Sequence, residues 1–331
     1  MTQSEFNRVK AEVDQKSPRS IQALVLTWAA PYRVDCMSIT SAFAFGFDKA
    51  FCSHKCGSTK PSPYYNSPST VPYADLKIRP TMALAGLDFA SVRALIDRGV
   101  AADNSNPGGT GYLLSTSDKR RNVRAAAYPR LAKATAGLVD IKLLESDSIR
   151  DKHDVLFYFT GLANVPDLNT LEFRPGAIAD HLTSVGGQLT DSNQMSSLRW
   201  LEAGATGSYG TVVEPCNHLA KFPDPALVIY WYLAGNSLIE AYWKSVQWPG
   251  EGIFIGEPLA KPYGGFSVHM DNGETVLRTL ALPPGIYGLL GANSVVGPYR
   301  PESSPLAIHL GMNELHFRNL DKAAYRLARI R

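Results

Sequence analysis

The chain has 331 residues, 45% of them hydrophobic and 19% charged, with a formal net charge of +3. That apolar share supports a packed core and excludes a disordered chain, and the charge is too small to argue for nucleic acid or an anionic membrane surface. No apolar run reaches the roughly 18–20 residues a membrane span needs, and the polar opening MTQSEFNRVKAEVDQKSPRS holds no signal-peptide apolar region.

Residues 4–15 carry Phe6, Val9 and Val13 at helical spacing, and IQALVLTW (21–28) is a short apolar run that predicts a buried strand. The stretch 31–80, rich in Ser, Pro, Gly and Tyr, has little periodicity and reads as a long loop or insertion. Asp88 is an N-cap for a helix with Phe89, Val92, Leu95 and Ile96 on one face and Gly99 as its stop. GYLLST (111–116), LVDIKLL (138–144), DVLFYFTG (154–161), GAIADHLTS (176–184), ATGSYGTV (205–212) and GIFIGEP (252–258) read as strands. Between them fall a basic helix over 118–135, a helix begun by Asp191 or Ser192 and stopped near Gly204, one opened by Asp224-Pro225, and one opened by Ser237. This alternation predicts an α/β domain with a mainly parallel sheet flanked by helices. After about residue 265, six short strand-like runs separated by Gly, Pro and Asn turns predict a small antiparallel, sandwich-like β unit. The expected division is therefore 1–264 and 265–331.

Three segments carry a resemblance: TWAAPYRVDCMSITSAFAFGFD (27–48); LIDRGVAAD (95–103) with TSDKRRNVRA (116–125); and a block from RPGAIADHLTSVGGQL (174–189) through AGATGSYGTVVEPC (203–216), FPDP (222–225) and YLAGNSLIEAYWKSV (232–246) to FIGEPLAKPY (254–263). Together they resemble an uncharacterised bacterial family found in species that carry the exosortase protein-sorting system. That family is distantly similar to gingipain-type cysteine peptidases of caspase-like fold. There a strand ending in His-Gly precedes a strand ending in the nucleophilic Cys, and a Gly-Ala strand, a helix and a Gly-Asp-Pro turn follow. FYFTGLANV (157–165) falls in the place of the His strand and GAIADHLTS in that of the Cys strand. GATGSYG (204–210) follows, and IGEPLAKPY (255–263) matches the closing turn. Leu162 stands near the position of the family's histidine, and Asp180 and His181 near that of its cysteine. The resemblance thus implies the caspase/gingipain-like fold but not the thiolate–imidazole pair that the chemistry needs. It also implies an exported or periplasmic protein, a peptide or protein as substrate or partner, and a first strand that the 1–264 domain lacks.

Ligands of open α/β sheets bind beyond the carboxyl ends of the strands. Those ends carry Thr27 and Trp28, Ser117 and Asp118, Thr160, Asp180 through Ser184, then Thr211 and Glu214. The expected site has His181 as acid/base, with Asp180, Glu214 and Cys216 as further catalytic candidates. Thr183, Ser184, Gly186, Gly187 and Thr211 are the ligand-binding positions, the Gly-Gly loop giving backbone donors to an anionic intermediate. Neighbouring strand residues point to opposite faces, so Asp180 and His181 reach one site only if the strand ends there. In the plainer reading Asp180 caps a turn and His181 bonds a carbonyl. Cys216, in EPCNH beside His218, is either a nucleophile reached by an imidazole or a buried, structural cysteine. A metal site on His181, Asp180 and Glu214 is a third reading. Cys36, Cys52, His54 and Cys56 fit either a zinc site of weak spacing or a disulfide, with a second bridge involving Cys216; an envelope location favours disulfides. Lys119, Arg120, Arg121 and Arg124 make either a solvated face or an anion site at a helix start. The residues name no cofactor. Two functions follow: a divergent hydrolase-fold protein of the bacterial envelope acting on a peptide or amide bond, and a catalytically inactive peptidase-like scaffold or binding protein in exosortase-linked sorting.

Overall fold

The computed structural model describes residues 1–53, 56–280, 282–294 and 296–330, and its centre is an eight-stranded mixed sheet. In chain order the strands are β1 (Leu24–Leu26), the hairpin β2 (Arg33–Val34) and β3 (Met37–Ser38), β4 (Thr81–Ala83), β5 (Thr110–Ser115), β6 (Asp140–Glu145), β7 (Lys152–Thr160), β8 (Leu171–His181), β9 (Gly207–Thr211) and β10 (Gly252–Gly256). The sheet runs β1-β4-β10-β9-β8-β7-β5-β6, with the β2–β3 hairpin apart from it. Strands β9, β8, β7, β5 and β6 are mutually parallel, as are β1, β4 and β10. The two blocks meet at the antiparallel β9–β10 pair. The mainly parallel α/β sheet expected from the sequence is present, with one reversal inside it.

Among the described residues the α-helices are α1 (Gln3–Lys16), α2 (Ile39–Phe45), α3 (Pro72–Leu76), α4 (Phe89–Ala102), α5 (Tyr128–Ala134), α6 (Leu198–Ala203), α7 (Pro225–Leu233) and α8 (Leu238–Trp243). Their caps are written in the sequence. Asp224 accepts from the N–H groups of Ala226 and Leu227 ahead of Pro225, Ser237 and Glu240 form a capping box, and Gly204 ends α6 at φ 117°. The period-two pleat then sorts the core. Phe157, Phe159 and Ile178 pack with α7 and α8 on one face, while Tyr158 and Ala179 pack with Trp200 of α6 on the other.

The stretch 31–80 is not a loop added to the outside. Val34, Met37, Ile39, Ala42, Phe43 and Phe51 in it are buried in the core. Ser38 caps α2 by accepting from Ser41 N–H, and β4 lies just beyond. Composition hid these elements because each is short: seven residues in α2 and three in β4. Two further boundaries move. The basic segment 118–135 is a turn followed by a 3-10 stretch, Asn122–Ala127, and α5. Helix α4 runs past Gly99 to Ala102, and Gly99 is where Glu257 packs so closely that a Cβ would lie 2.5 Å from its Cγ. The helix expected from Asp191 or Ser192 begins only at Leu198.

The last residues form β11 (Phe266–Asp271), β12 (Glu274–Thr279), β13 (Gly285–Ala292), β14 (Arg300–Pro301), β15 (Leu306–Ile308), β16 (Asn313–Phe317) and β17 (Ala324–Arg329). They make two antiparallel sheets, β11-β12-β16 and β14-β13-β15 with β17 on β13. Tyr287, Leu289, Ile308, Leu315 and Phe317 form a cluster of their own. All six expected runs are strands here.

The cysteines form two disulfides, Cys36–Cys52 and Cys56–Cys216, separated by 16 and 160 positions. His54, offered with them as a zinc ligand, lies outside the described residues, and the three cysteines of that reading are bridged. Closing loops of these lengths stabilises by about 3 and 5 kcal/mol in the chain-entropy model. The pair Cys56→Ser with Cys216→Ser is therefore expected to lose more stability in urea unfolding than Cys36→Ser with Cys52→Ser. The reverse ranking would show that strain or residual structure outweighs loop closure.

Candidate functional site

The carboxyl ends of β5, β7, β8 and β9 share one edge of the sheet. Because β1 belongs to the reversed block, Thr27 and Trp28 lie at the opposite edge, and Trp28 packs edge-on against Phe43 instead. Strand direction, which composition does not report, removes both from the expected site.

Asp180 and His181 end β8 and leave it on opposite faces. Asp180 is 1% exposed and pairs with Arg124 at 2.6 Å. The Arg124 guanidinium also donates to the Thr160 carbonyl at 2.8 Å. Burial pushes the Asp180 carboxyl up, and Arg124 pulls it the other way. Asp180 therefore neither caps a turn nor faces the edge: it is half of a buried ion pair.

His181 is 2% exposed. Its Nδ1 accepts from the Trp200 indole N–H at 2.9 Å, which fixes the tautomer, and Nε2–H donates to the Met195 carbonyl at 3.1 Å. Burial lowers its pKa to about 3. A neutral imidazole with both nitrogens occupied has no lone pair for a substrate proton, so the acid/base role is corrected to a packing role. The metal reading fails with it. Among the described residues no group of three His, Cys, Asp or Glu side chains could hold a metal ion.

Past His181 the chain turns through Leu182–Ser184 into the Gly-Gly loop. Gly187 N–H is taken by the Thr211 carbonyl at 2.9 Å, and the Gly186 carbonyl accepts from Ser197. A Cβ on Gly187 would lie 2.5 Å from the Gly210 carbonyl oxygen, so glycine is required for this approach. The buried Thr211 hydroxyl donates to the Thr183 and Ser184 carbonyls. Gly187 and Thr211 thus lock the loop onto β9 and spend on the protein the hydrogen bonds assigned to a ligand. Gly186 is not among the residues that line the cleft.

Four of the expected residues do meet. A cleft of about 580 Å³ is lined by Thr183, Ser184, Glu214 and Cys216, joined by Arg120, Arg121, Gln194 and Asn217. Arg121 reaches Thr183 Oγ1 at 3.1 Å and pairs with Asp118 at 2.7 Å. The Thr183 hydroxyl donates to Gln194 Oε1 at 2.6 Å, and the same oxygen accepts from Val185 N–H. Glu214 Oε1 accepts from Cys216 N–H at 2.8 Å. Cys216 is bound to Cys56, and the His218 ring bonds the Cys56 carbonyl. The thiol–imidazole pair weighed for Cys216 is therefore absent. The basic run splits by role: Arg124 goes to the core while Arg120 and Arg121 face the cleft. Gln194 and Asn217 are lone loop amides and carry no sequence signal.

In comparisons with known proteins, no family model, no curated protein and no solved structure matches this chain.

Two outcomes follow from the buried groups. Arg124→Met leaves the Asp180 carboxylate unpaired in the core and is expected to cost about 3–5 kcal/mol in urea unfolding, with Asp180→Leu added to it restoring most of the loss. A near-neutral R124M would sink the ion pair as a structural tie. For His181, the unfolded imidazole has the ordinary pKa of 6.5 and the folded one about 3. Between these values the unfolded chain binds the extra proton. The contribution is full above about pH 6.5 and falls toward pH 3 by roughly 1.4 kcal/mol per unit. His181→Asn is expected to flatten the melting temperature between pH 6.5 and 4, and an unchanged slope would refute this assignment.

Proposed function

We propose that this chain is a peptidase-like fold that binds and does not cut. Its strand-end cleft takes an extended peptide, with a carboxylate of that peptide against Arg120 and Arg121. One observation carries the reading: the two groups that could make a nucleophile and a base are both spent. Cys216 is in a disulfide, and both His181 nitrogens are hydrogen-bonded. A cysteine hydrolase needs a free thiolate beside a free imidazole, whereas a binding cleft needs the donors and acceptors present here.

The caspase-like and gingipain-like assignment is part of the same proposal. It is supported by β7 and β8, the counterparts of the His and Cys strands, lying side by side and parallel, and by β9 and β10 following in the expected chain order. With that assignment goes a role at the bacterial envelope, as a scaffold or binding protein in exosortase-linked protein sorting. The two disulfides favour an oxidising compartment.

A second reading keeps hydrolysis, with Glu214 as base on a water beside Ser184, and is favoured by both side chains lining one cleft. Fluorescence polarisation with labelled acidic peptides, read together with mass spectrometry of the same mixtures, separates the two. Binding without cleavage, weakened about tenfold by Arg121→Ala, is the expected result. Cleavage that disappears in Glu214→Gln would overturn the binding reading in favour of the hydrolase.

A further inference from the structure

The β unit has an exposed edge strand that is long and apolar. β11 is the edge of its sheet, and all six of its residues are exposed. Phe266, Val268 and Met270 are 72%, 58% and 68% exposed. They alternate with Ser267, His269 and Asp271, so the three apolar side chains share one face of the strand. Phe266 and Val268 line a groove of about 380 Å³ between the two sheets, with Leu277, Leu289, Leu320 and Leu327. Edge strands are ordinarily blunted by lysine, proline or a bulge. β11 contains neither residue, and its register with β12 is unbroken from Phe266 opposite Thr279 to Asp271 opposite Glu274.

The hairpin geometry says which backbone groups are open. β11 and β12 are joined by Asn272-Gly273, with φ of 46° and 81°, a two-residue turn closed between Asp271 and Glu274. Taking that pair as hydrogen-bonded, alternation makes His269 and Ser267 the next positions bonded to β12. The N–H and C=O groups of Phe266, Val268 and Met270 then point to the empty edge.

The strand is also its own complement. Laid antiparallel on a second copy about Val268, Val268 meets the partner's Val268, and Phe266 meets the partner's Met270. Ser267 then meets the partner's His269. All apolar side chains stay on one face, and no like charges stand directly opposite. A slip of one residue sets Val268 against a polar side chain.

We propose that a second copy of this chain pairs with β11 in this register across a two-fold axis, making one six-stranded sheet from two three-stranded ones. Six strand residues from each copy bury on the order of 1,000 Å² in total, which places the dimer at the weak, reversible end of specific association. The proposal is independent of the cleft and of what it binds.

Sedimentation equilibrium of the full chain from about 5 to 500 µM is expected to show a monomer–dimer equilibrium. Val268→Lys sets two ammonium groups face to face at the axis and is expected to weaken the dimer at least tenfold or so. Its melting temperature at low concentration is expected to match that of the unsubstituted chain, because Val268 is exposed. Val296→Lys adds the same charge at a site 92% exposed and off the strand, and is expected to leave the dimer intact. A monomer at every concentration overturns the proposal, as does a dimer that V268K leaves unchanged. An apolar peptide that occupies β11 of a persistent monomer also overturns it and assigns the edge to another partner.

Discussion

The pleat of β8 governs the strand-end edge. One step along an extended strand turns a side chain through to the other face. Asp180 therefore enters the layer of α7 and α8, and His181 enters that of α6. Each is buried and each meets a partner: a guanidinium on one side, which pairs with Oδ1 and leaves Oδ2 without a hydrogen bond, and an indole N–H and a carbonyl on the other. Arg124 holds more than the carboxylate. Through its bond to the Thr160 carbonyl it fastens the segment after β5 across the ends of β7 and β8. That tether sets Arg121, three residues earlier, against Thr183. The approach is close: a Cβ on Gly161 would lie 2.0 Å from the Arg121 carbonyl oxygen. The cationic side of the cleft thus depends on an ion pair buried behind it.

A second buried pair does the same for the reversed block. Lys221 and Glu251 meet at 2.7 Å, with side chains 0% and 1% exposed. Lys221 Nζ also donates to Ser53 Oγ, and Glu251 Oε1 accepts from the Ser53 N–H and hydroxyl. Charges buried this deeply need their pairing and added hydrogen bonds to offset desolvation, and here Ser53 supplies those bonds while Glu251 Oε2 has the ion pair alone. The result ties the 49–53 segment to the start of β10, beside the antiparallel junction. The segment between β1 and β4 is therefore part of the frame, and the Cys56–Cys216 bridge extends it to the rim of the cleft.

Local signals were the legible part of this chain. Asp88, Asp224, Ser237 and Gly204 mark helix ends by groups that act within three or four residues, and they do so in the structure. The six strand-like runs after residue 265 were legible for the same reason: alternation and turn residues are local. What depends on distant pairing was not. Nothing near Thr27 tells that β1 runs against β8. Nothing near His181 tells that Trp200 will donate to it, and Arg124 looks like Arg120 until the fold buries one and exposes the other. In the site, Thr183, Ser184 and Glu214 were legible as residues at the carboxyl ends of strands, and Cys216 as their neighbour in EPCNH. The roles of Asp180 and His181 were not, because a polar residue at a strand end looks the same whether it faces solvent or core.

The disulfide that removes the thiol also builds the cleft. Cys216 sits at φ 53°, a backbone region that non-glycine residues occupy at a cost. Two covalently independent ties hold it there: the bridge to Cys56 and the bond from its N–H to Glu214. Both point the 214–217 turn at the end of β8, so that Glu214 and Asn217 flank the Thr183–Ser184 turn from the β9 side while Arg120 and Arg121 flank it from the β5 side. The cleft therefore carries a carboxylate from one loop and guanidinium groups from another, an arrangement of charge that has a direction. The turn between these groups is itself held, the Thr183 hydroxyl by Arg121 and Gln194 and the Ser184 carbonyl by the Thr211 hydroxyl.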